Sequence, residues 1–424
     1  MMYVFALLSI VVFYLGFRCS ETIVNPLSAF SGVWLAMGLL YQLRLSGLQE
    51  ALHEELYLAL IIVLLAFSVS WFVIDFGISA LIKHRSSGVI KNNAIVTSAR
   101  IEHIAYMCFL LFIAWFVASI VEVYISRGVP AYWLLTGSEK TYFDFGVPSV
   151  HGFLNAMGIL IATVTAYLLM KKCPYKKSLL VILAVEAVYY LMIISRQVIM
   201  SAAIQIFIVY LIVNRGSIPL VRLCLVALAG VFAFGVIGNI RTGYETFMHV
   251  AQLPDGLPSW AAGFYWVYMY LAMTLANLNN LVMQAFEPLG ASYLFQDFIP
   301  SVVSQALDLP QVDSLSYLVS IQFNVSGFFA HYFEAFGWQG LVVAGAVFGC
   351  VSGTASSWFR FRPSVVSLLF FVIVMQIVLL SFFTDLLLYL PVSFQLVLLF
   401  AFSTPACSLF DCFGWARREL KTEE

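Results

Sequence analysis

The stretch YLALIIVLLAFSVSWFVIDFGISALI, residues 57–82, decides the fold class because it is apolar from end to end. Its only charged residue is Asp75. A run of this length can cross a hydrocarbon core of about 30 Å as an α-helix. A strand of a membrane barrel would instead alternate apolar and polar residues. We therefore expect this segment to be a membrane-spanning helix.

The rest of the chain repeats this pattern. Of its 424 residues, 62% are hydrophobic and 10% are charged, against about 45–50% and about 25% in an ordinary globular protein. A soluble fold could not bury that much apolar surface, so the sequence predicts an all-α polytopic membrane protein, residues 1–424 forming a single integral membrane domain. We expect about 11 transmembrane helices (10–12), near residues 2–17, 27–43, 57–82, 104–125, 151–170, 178–194, 197–213, 218–240, 328–358, 364–384 and 386–408.

The orientation follows from the basic residues of the short connections. Under this span count all the basic connections lie on one side, which the positive-inside rule makes cytoplasmic: Lys83 to Arg100, Lys171 to Lys177, Arg215 to Arg222, Arg360 to Arg362, and the tail after Arg417. The other side carries one long segment, residues 241–327, with one arginine, no lysine and six acidic residues. A Trp- and Tyr-rich stretch near 260–286 predicts an interfacial helix inside this segment, since a crossing there would move the later basic groups outside.

Three arginines lie at the predicted outer rim. Arg127, Arg196 and Arg241 follow or join spans on the side where the positive-inside rule does not favour them. The guanidinium group is a planar fork of donors that keeps its charge, which suits a phosphate or diphosphate at a membrane surface. The alternative is that the three are membrane anchors whose charged ends reach the interface.

A possible acid–base pair lies in NVSGFFAHYFEAFGWQGLVVAG, residues 324–345. His331 and Glu334 are three residues apart and would share one face of a helix. An imidazole can take a proton from a hydroxyl near neutral pH, and a carboxylate beside it can orient it or accept the proton itself. The alternative is a hydrogen bond within the bundle. Secondary candidates are Arg127, His151, Tyr244, Glu245 and Tyr332.

The remaining polar residues indicate little chemistry. Each of Asp75, Glu122 and Glu186, in or near spans, could relay protons, but we interpret them as contacts between helices and Asp385 as a solvated turn residue. The seven cysteines lack zinc-type spacing. No P-loop, dinucleotide-binding or zinc-protease motif is present, so we expect no metal, no cofactor and no nucleic-acid partner.

Three short motifs carry a family resemblance: SRQ at 195–197, GNIRTGYE at 238–245 and HYFEAFGWQG at 331–340. With the many spans and the long outer segment, they resemble the Wzy-type oligosaccharide repeat-unit polymerases that make O-antigen or capsular polysaccharide. The resemblance implies a multi-pass protein of the bacterial inner membrane with a GT-C-like fold. It also implies an active site that faces the periplasm and needs neither metal nor nucleotide. Donor and acceptor would be undecaprenyl-diphosphate-linked glycans, with a chain-length regulator and a flippase as possible partners.

The resemblance also implies roles for individual residues. Arg196 and Arg241 would hold the donor diphosphate, whereas His331 and Glu334 would activate or align the acceptor hydroxyl. Some members place Gly eleven positions after an outer-loop arginine, and here Arg127 is followed by Gly137 at ten. Two alternatives stay open: a flippase or transporter of lipid-linked oligosaccharides, and an O-antigen ligase.

Overall fold

The computed structural model describes residues 1–20, 24–85, 98–141, 144–214, 220–254, 256–284, 287–296, 298–307 and 316–403, and all regular secondary structure within them is helical. The α-helices are α1 (Met2–Ser20), α2 (Pro26–Tyr41), α3 (Glu54–Arg85), α4 (Ser98–Ser126), α5 (Pro130–Thr136), α6 (Val150–Met170), α7 (Lys176–Met192), α8 (Arg196–Val213), α9 (Leu220–Thr242), α10 (Tyr244–Val250), α11 (Ala262–Met283), α12 (Ala291–Leu294), α13 (Ser301–Ala306), α14 (Ala330–Phe336), α15 (Trp338–Phe361), α16 (Val365–Leu379) and α17 (Leu390–Leu398). Short 3₁₀ helices cover Ser259–Ala261 and Leu399–Phe402.

The expected all-helical class is confirmed for these residues. Six segments within them are helices long and apolar enough to cross a membrane: Met2–Cys19, Glu54–Leu81, Ile101–Thr136, Val150–Met170, Arg196–Val213 and Trp338–Phe361. Shorter apolar helices are Pro26–Tyr41, Leu228–Ile240, Val365–Leu379 and Leu390–Phe402. The count of about 11 spans and the GT-C-like arrangement stay predictions.

The chain divides into two compact units, each built from segments that are separate in the sequence. The described residues of unit 1 fall in Met1–Arg85, Leu211–Ser357 and Val374–Tyr389. The other described residues belong to unit 2. His331, Glu334 and Arg241 therefore belong to unit 1, whereas Arg196 and His151 belong to unit 2.

In unit 1, α3 and α15 pack through a row of glycines. Gly345, Gly349 and Gly353 share one face of α15, and a Cβ on Gly345 would lie 2.6 Å from the carbonyl oxygen of Val63. Small residues at this spacing let two helix backbones touch. Gly349 meets Phe67 and Gly353 meets Trp71, so both helices run in the same direction. The part of α15 that belongs to unit 1 is therefore parallel to α3.

Asp75 lies toward the end of this parallel pair. It is buried on α3, and its Oδ1 accepts a hydrogen bond from the Ser357 hydroxyl of α15 at 2.7 Å. A buried carboxyl that accepts a bond from the adjacent helix has a structural role. The interpretation of Asp75 as a contact between helices is therefore confirmed.

The predicted helix near 260–286 exists as α11, but its surroundings differ from those of a helix lying on a lipid surface. Most of its residues are buried, and it packs against α2 and α9. The Asn277 amide donates to the carbonyl oxygens of Phe323 and Val325 at 2.8 Å each, and the Asn279 side chain accepts from the backbone N–H of His53 at 2.8 Å. The asparagines of α11 therefore bind the backbone of connecting segments within unit 1. Its location at the membrane interface stays a prediction.

The expected span 328–358 is wrong at its beginning. The helix is interrupted at Gly337, whose φ of 60° and ψ of −142° are open to glycine and unfavourable for other residues. The short helix α14 ends before it and α15 begins after it. Because of this break, His331 and Glu334 lie on α14, ahead of the membrane-spanning helix.

Unit 2 joins its helices through buried polar side chains. The Thr163 hydroxyl of α6 donates to the Gln205 side-chain oxygen of α8 at 2.8 Å, and the Gln205 amide donates to Gln395 of α17 at 2.8 Å. All three are buried. In an apolar environment such side chains stabilise helix contacts by bonding to one another.

Candidate functional site

The pair that the sequence singled out lies in unit 1, around a buried carboxylate. Glu334 is only 2% exposed, and the Tyr293 hydroxyl donates to its Oε2 at 2.8 Å. The backbone holds the two segments together, because the N–H groups of Leu289 and Gly290 donate to the carbonyl oxygens of Glu334 and Ala335 at 3.0 Å each. The long segment thus folds back onto α14 and brings α12 against it.

His331 shares this neighbourhood. Its half-buried ring contacts the ring of Tyr293 edge-on, with 5.8 Å between the ring centroids. Tyr293 therefore touches both members of the predicted pair. Sequence reasoning missed Tyr293, which precedes Glu334 by 41 residues and carries no motif that would single it out.

Tyr332, a secondary candidate on the same helix, pairs with a second acid. It is buried, and burial together with the Asp385 carboxylate, which accepts its hydrogen bond, raises the pKa of Tyr332. Asp385 is 4% exposed and also accepts from the backbone N–H of Leu387 at 2.9 Å. The expectation that Asp385 is a solvated turn residue is therefore wrong, because its carboxylate is buried against α14.

Tyr244 and Glu245 line a separate open cavity of unit 1, about 650 Å³ in volume. His249, one turn after Glu245 on α10, lies on the same wall, and the Tyr244 hydroxyl donates to the carbonyl oxygen of Leu257. Arg241 belongs to the last turn of α9, and its side chain lies outside the described part of the chain. Its predicted role in holding a diphosphate stays a prediction.

Unit 2 contains a second buried carboxylate. Glu122 of α4 is 1% exposed and accepts hydrogen bonds from the Tyr189 hydroxyl of α7 at 2.9 Å and from the backbone N–H of Val147 at 3.2 Å. The Nδ1 atom of His151, at the start of α6, lies 3.2 Å from each oxygen of Glu122. Glu122 does contact neighbouring helices, as expected, but it also holds a histidine that the sequence marked only as secondary.

Glu186, the third acid placed in a span, behaves differently. It lies on α7, is 2% exposed, and neither of its carboxyl oxygens has a hydrogen-bond partner among the described residues. The interpretation of Glu186 as a polar contact between helices is therefore wrong. A buried acid without such a partner is costly in its charged form.

The two arginines of unit 2 lie in different settings. Arg196 is the first residue of α8 and is half-buried. Arg127 is exposed just after α4, with a left-handed φ of 59°, and its carbonyl oxygen accepts from the Trp133 ring N–H at 3.4 Å. Because Arg196 belongs to unit 2 and His331 and Glu334 to unit 1, their common pocket stays a prediction.

The described residues contain no group of three or more His, Cys, Asp or Glu side chains that could hold a metal ion. No family model matches the chain, and no curated protein or solved structure matches it either.

Proposed function

We propose that this chain is a membrane glycosyltransferase that joins undecaprenyl-diphosphate-linked oligosaccharide units at the periplasmic face of a bacterial inner membrane, as the Wzy-type polymerases do. The observation that carries the proposal is the cluster of Glu334, His331 and Tyr293. It joins a buried carboxylate, a half-buried imidazole and a phenol ahead of a helix that is long and apolar enough to cross a membrane. These groups suit a hydroxyl-bearing substrate presented at the membrane surface.

The reaction transfers a sugar between two lipid carriers. The oxygen of an acceptor hydroxyl bonds to the anomeric carbon of the donor, the bond from that carbon to the diphosphate oxygen breaks, and the diphosphate leaves with the electron pair. The His331–Glu334 pair binds and aligns the acceptor hydroxyl. Arg196 and Arg241 neutralise the charge that develops on the leaving diphosphate. The acceptor hydroxyl gives its proton to the His331–Glu334 pair in this step.

Tyr293 supports the pair by fixing the carboxylate. Its hydroxyl donates a hydrogen bond to one oxygen of Glu334. The carboxylate therefore keeps its orientation when substrate binds. A group that is already oriented stabilises a transition state without reorganising. Tyr293 is thus a positioning residue in the proposed site.

A lipid-linked oligosaccharide flippase is the second candidate, and Glu186 is the observation that favours it. Buried acids in spanning helices serve as proton carriers in many transporters, and Glu186 has no hydrogen-bond partner among the described residues. The polymerase remains the better supported proposal, because the Glu334 cluster lies ahead of α15 and next to the long acidic segment. An O-antigen ligase, which uses the same chemistry, is separated from a polymerase by its products.

The test is extension of a lipid-linked repeat unit by the purified protein in lipid nanodiscs, with the products separated by length. We expect a ladder from the wild type and a loss of at least about 100-fold in rate for Glu334→Gln and His331→Ala. Arg196→Ala and Arg241→Ala should lose a similar factor.

The matched controls are Glu55→Gln and His53→Ala, since both side chains are exposed and His53 contributes only its backbone N–H to α11. Both should extend the unit at the wild-type rate. If all four site variants polymerise normally while the protein stays folded, the proposed site is wrong. Flipping of a labelled lipid without any ladder would favour the flippase.

A further inference from the structure

We infer that the open cavity beside α10 is a binding site for an uncharged sugar, separate from the cluster that carries out the reaction. The cavity is about 650 Å³ in volume and belongs to unit 1. It lies in the segment 241–327, which the sequence predicts to be outside the membrane. That the sugar is part of a lipid-linked repeat unit rests on the proposed function, whereas the chemistry of the cavity points to a sugar by itself.

Half of the lining comes from one face of α10 and the turn that follows it. The side chains involved are those of Glu245, Met248, His249 and Gln252. The last three follow Glu245 by three, four and seven residues, which is the spacing of one helix face. α10 therefore presents an acid, an imidazole, an amide and a thioether to the same space.

The helix that carries this face is fixed on its other side. Phe247 is 1% exposed, and its ring stacks on the ring of Trp266 of α11 with 3.9 Å between the ring centroids. The Trp266 ring N–H donates to the Asn239 side-chain oxygen of α9 at 3.2 Å. Because α10 is attached in this way to α11, which is itself bonded to α9, the wall of the cavity is formed before a ligand arrives.

The turn that carries Gln252 is held by the connection between α2 and α3. The Gly47 N–H donates to the carbonyl oxygen of Gln252 at 2.9 Å, and the Ser46 hydroxyl donates to the carbonyl oxygen of Ala251 at 2.6 Å. A Cβ on Gly47 would lie 2.8 Å from Oε1 of Gln252, so a glycine at this position leaves room for the amide. Two segments of unit 1 that are distant in sequence therefore fix one lining side chain.

The polar lining suits hydroxyl groups better than phosphate groups. A carboxylate accepts hydrogen bonds, an amide both donates and accepts, and an imidazole can do either. Glu245 and His249 are both exposed, so these groups are accessible to a ligand. Among the described residues that line the cavity there is no lysine or arginine, the residues that bind phosphate most strongly. A diphosphate would also meet the Glu245 carboxylate, which repels an anion.

The apolar lining completes the match to a sugar. Tyr244, Leu253 and Leu257 line the cavity together with Met248, and the Tyr244 hydroxyl donates to the carbonyl oxygen of Leu257 at 2.5 Å, which joins two lining residues. A sugar ring carries hydroxyl groups at its edge and C–H groups on its faces, and apolar side chains make dispersion contacts with those faces. The volume lies within the range of about 300–1,000 Å³ that is typical of ligand sites.

The first test detects binding at the cavity and needs no turnover. Protein labelled with ¹³C-methyl methionine, in nanodiscs, is titrated with the lipid-linked repeat unit isolated from the organism that makes this protein, or with undecaprenyl diphosphate that carries no sugar. The methyl signal of Met248, assigned with Met248→Leu, should shift with the repeat unit alone. Glu245→Gln and His249→Ala should weaken this binding about tenfold, and the exposed controls Glu55→Gln and His53→Ala should not change it. An equal shift with the sugarless carrier, or no shift with either probe, overturns the inference.

The second test separates this site from the reacting cluster. In the extension assay, Glu245→Gln and His249→Ala should raise KM for the lipid-linked unit about tenfold and leave kcat within about twofold, as expected when a contact is equal in the ground state and the transition state. A lower kcat at unchanged KM overturns the inference. A wild type that makes no ladder but binds the repeat unit at Met248 refutes the proposed function and leaves the sugar site standing. A ladder without any shift at Met248 refutes the sugar site alone.

Discussion

Glu334 in unit 1 and Glu122 in unit 2 are both buried carboxylates that accept from a tyrosine near a histidine, yet they are assembled differently. His331 and Glu334 come from one turn of α14, whereas Glu122, His151 and Tyr189 come from α4, α6 and α7. The first pair is visible as a spacing in the sequence. The second exists only because three helix ends meet, and there Nδ1 of His151 lies 3.2 Å from both oxygens of Glu122.

The difference has an energetic consequence. Glu122 ties α4 to α6 and α7, whereas the Tyr293 bond to Glu334 ties the four-residue helix α12 to α14. Loss of an acceptor between spanning helices leaves donors stranded in an apolar setting. Loss of an acceptor near the long segment lets that segment move and reach water. Stability measurements on matched variants test this contrast.

The largest effect is expected for Glu122→Ala. The change strands the Tyr189 hydroxyl, the Val147 N–H and the His151 Nδ1–H, and each stranded donor costs about 1–3 kcal/mol. We expect a loss of at least about 3 kcal/mol, measured as a fall in the melting temperature in detergent. Glu334→Ala should lower the melting temperature less, and Glu55→Ala, at an exposed site, should leave it unchanged. An equal loss for the two buried acids would remove the contrast.

A smaller effect is expected when only the phenol oxygens are removed. Tyr189→Phe and Tyr293→Phe each delete one hydrogen bond to a carboxylate, of 2.9 Å and 2.8 Å respectively. We expect each change to lower the free energy of unfolding by about 1.5–3 kcal/mol. In the extension assay we expect Tyr293→Phe to be slower than the wild type, because Tyr293 positions the proposed His331–Glu334 pair. We expect Tyr189→Phe to change the tautomer population of His151 and Tyr293→Phe to leave it unchanged.

Next in size is the effect of a methyl group beside His151. Gly146→Ala combines a positive φ with a Cβ that would lie 2.9 Å from the imidazole, so we expect it to cost about 1–3 kcal/mol and to displace the ring. Gly137→Ala is the control, since its φ is +66° but no atom lies within 4 Å of the added Cβ. Gly137→Ala should lose only the stability that the positive φ costs a residue with a Cβ. Equal melting temperatures for the two variants would show that the ring is not clamped.

The smallest effect belongs to Tyr332 and appears as a dependence on pH. Burial and Asp385 raise the pKa of Tyr332, so its contribution to stability is present below the unfolded value of about 10 and is lost as pH rises above it. Tyr332→Phe should be less stable by about 1 kcal/mol at neutral pH, and the gap should narrow above about pH 10. Melting curves from neutral to alkaline pH test this, with Tyr132→Phe, 58% exposed, as the control.

Position along the chain accounts for what could be predicted of the candidate site. His331 and Glu334 share a face because they are one turn apart, and the structure keeps that relation on α14. The residues that bond to this helix are Tyr293, which contacts Glu334, and Asp385, which contacts Tyr332. Both are remote in sequence and carry no local signal. Asp385 looked like a solvated turn residue for the same reason.

The extent of single helices was harder to predict than their existence. The apolar run from 328 to 358 predicts one span, because hydropathy averages over a window and does not register the backbone angles of one glycine. Gly337 ends α14 and separates the polar pair from α15. The asparagines of α11 looked like the polar end of an interfacial helix, and they instead bind backbone carbonyl and N–H groups of connecting segments.

Hydrophobic length and charge are properties of contiguous residues, so the sequence predicts a helical membrane protein and the positions of its basic connections. It also placed one acid–base pair, through a spacing of one helical turn. Which buried acids have hydrogen-bond partners depends instead on how distant helices pack. Glu122 gained a histidine and a tyrosine while Glu186 gained no hydrogen bond among the described residues, because a buried group is satisfied by whichever helix packs beside it.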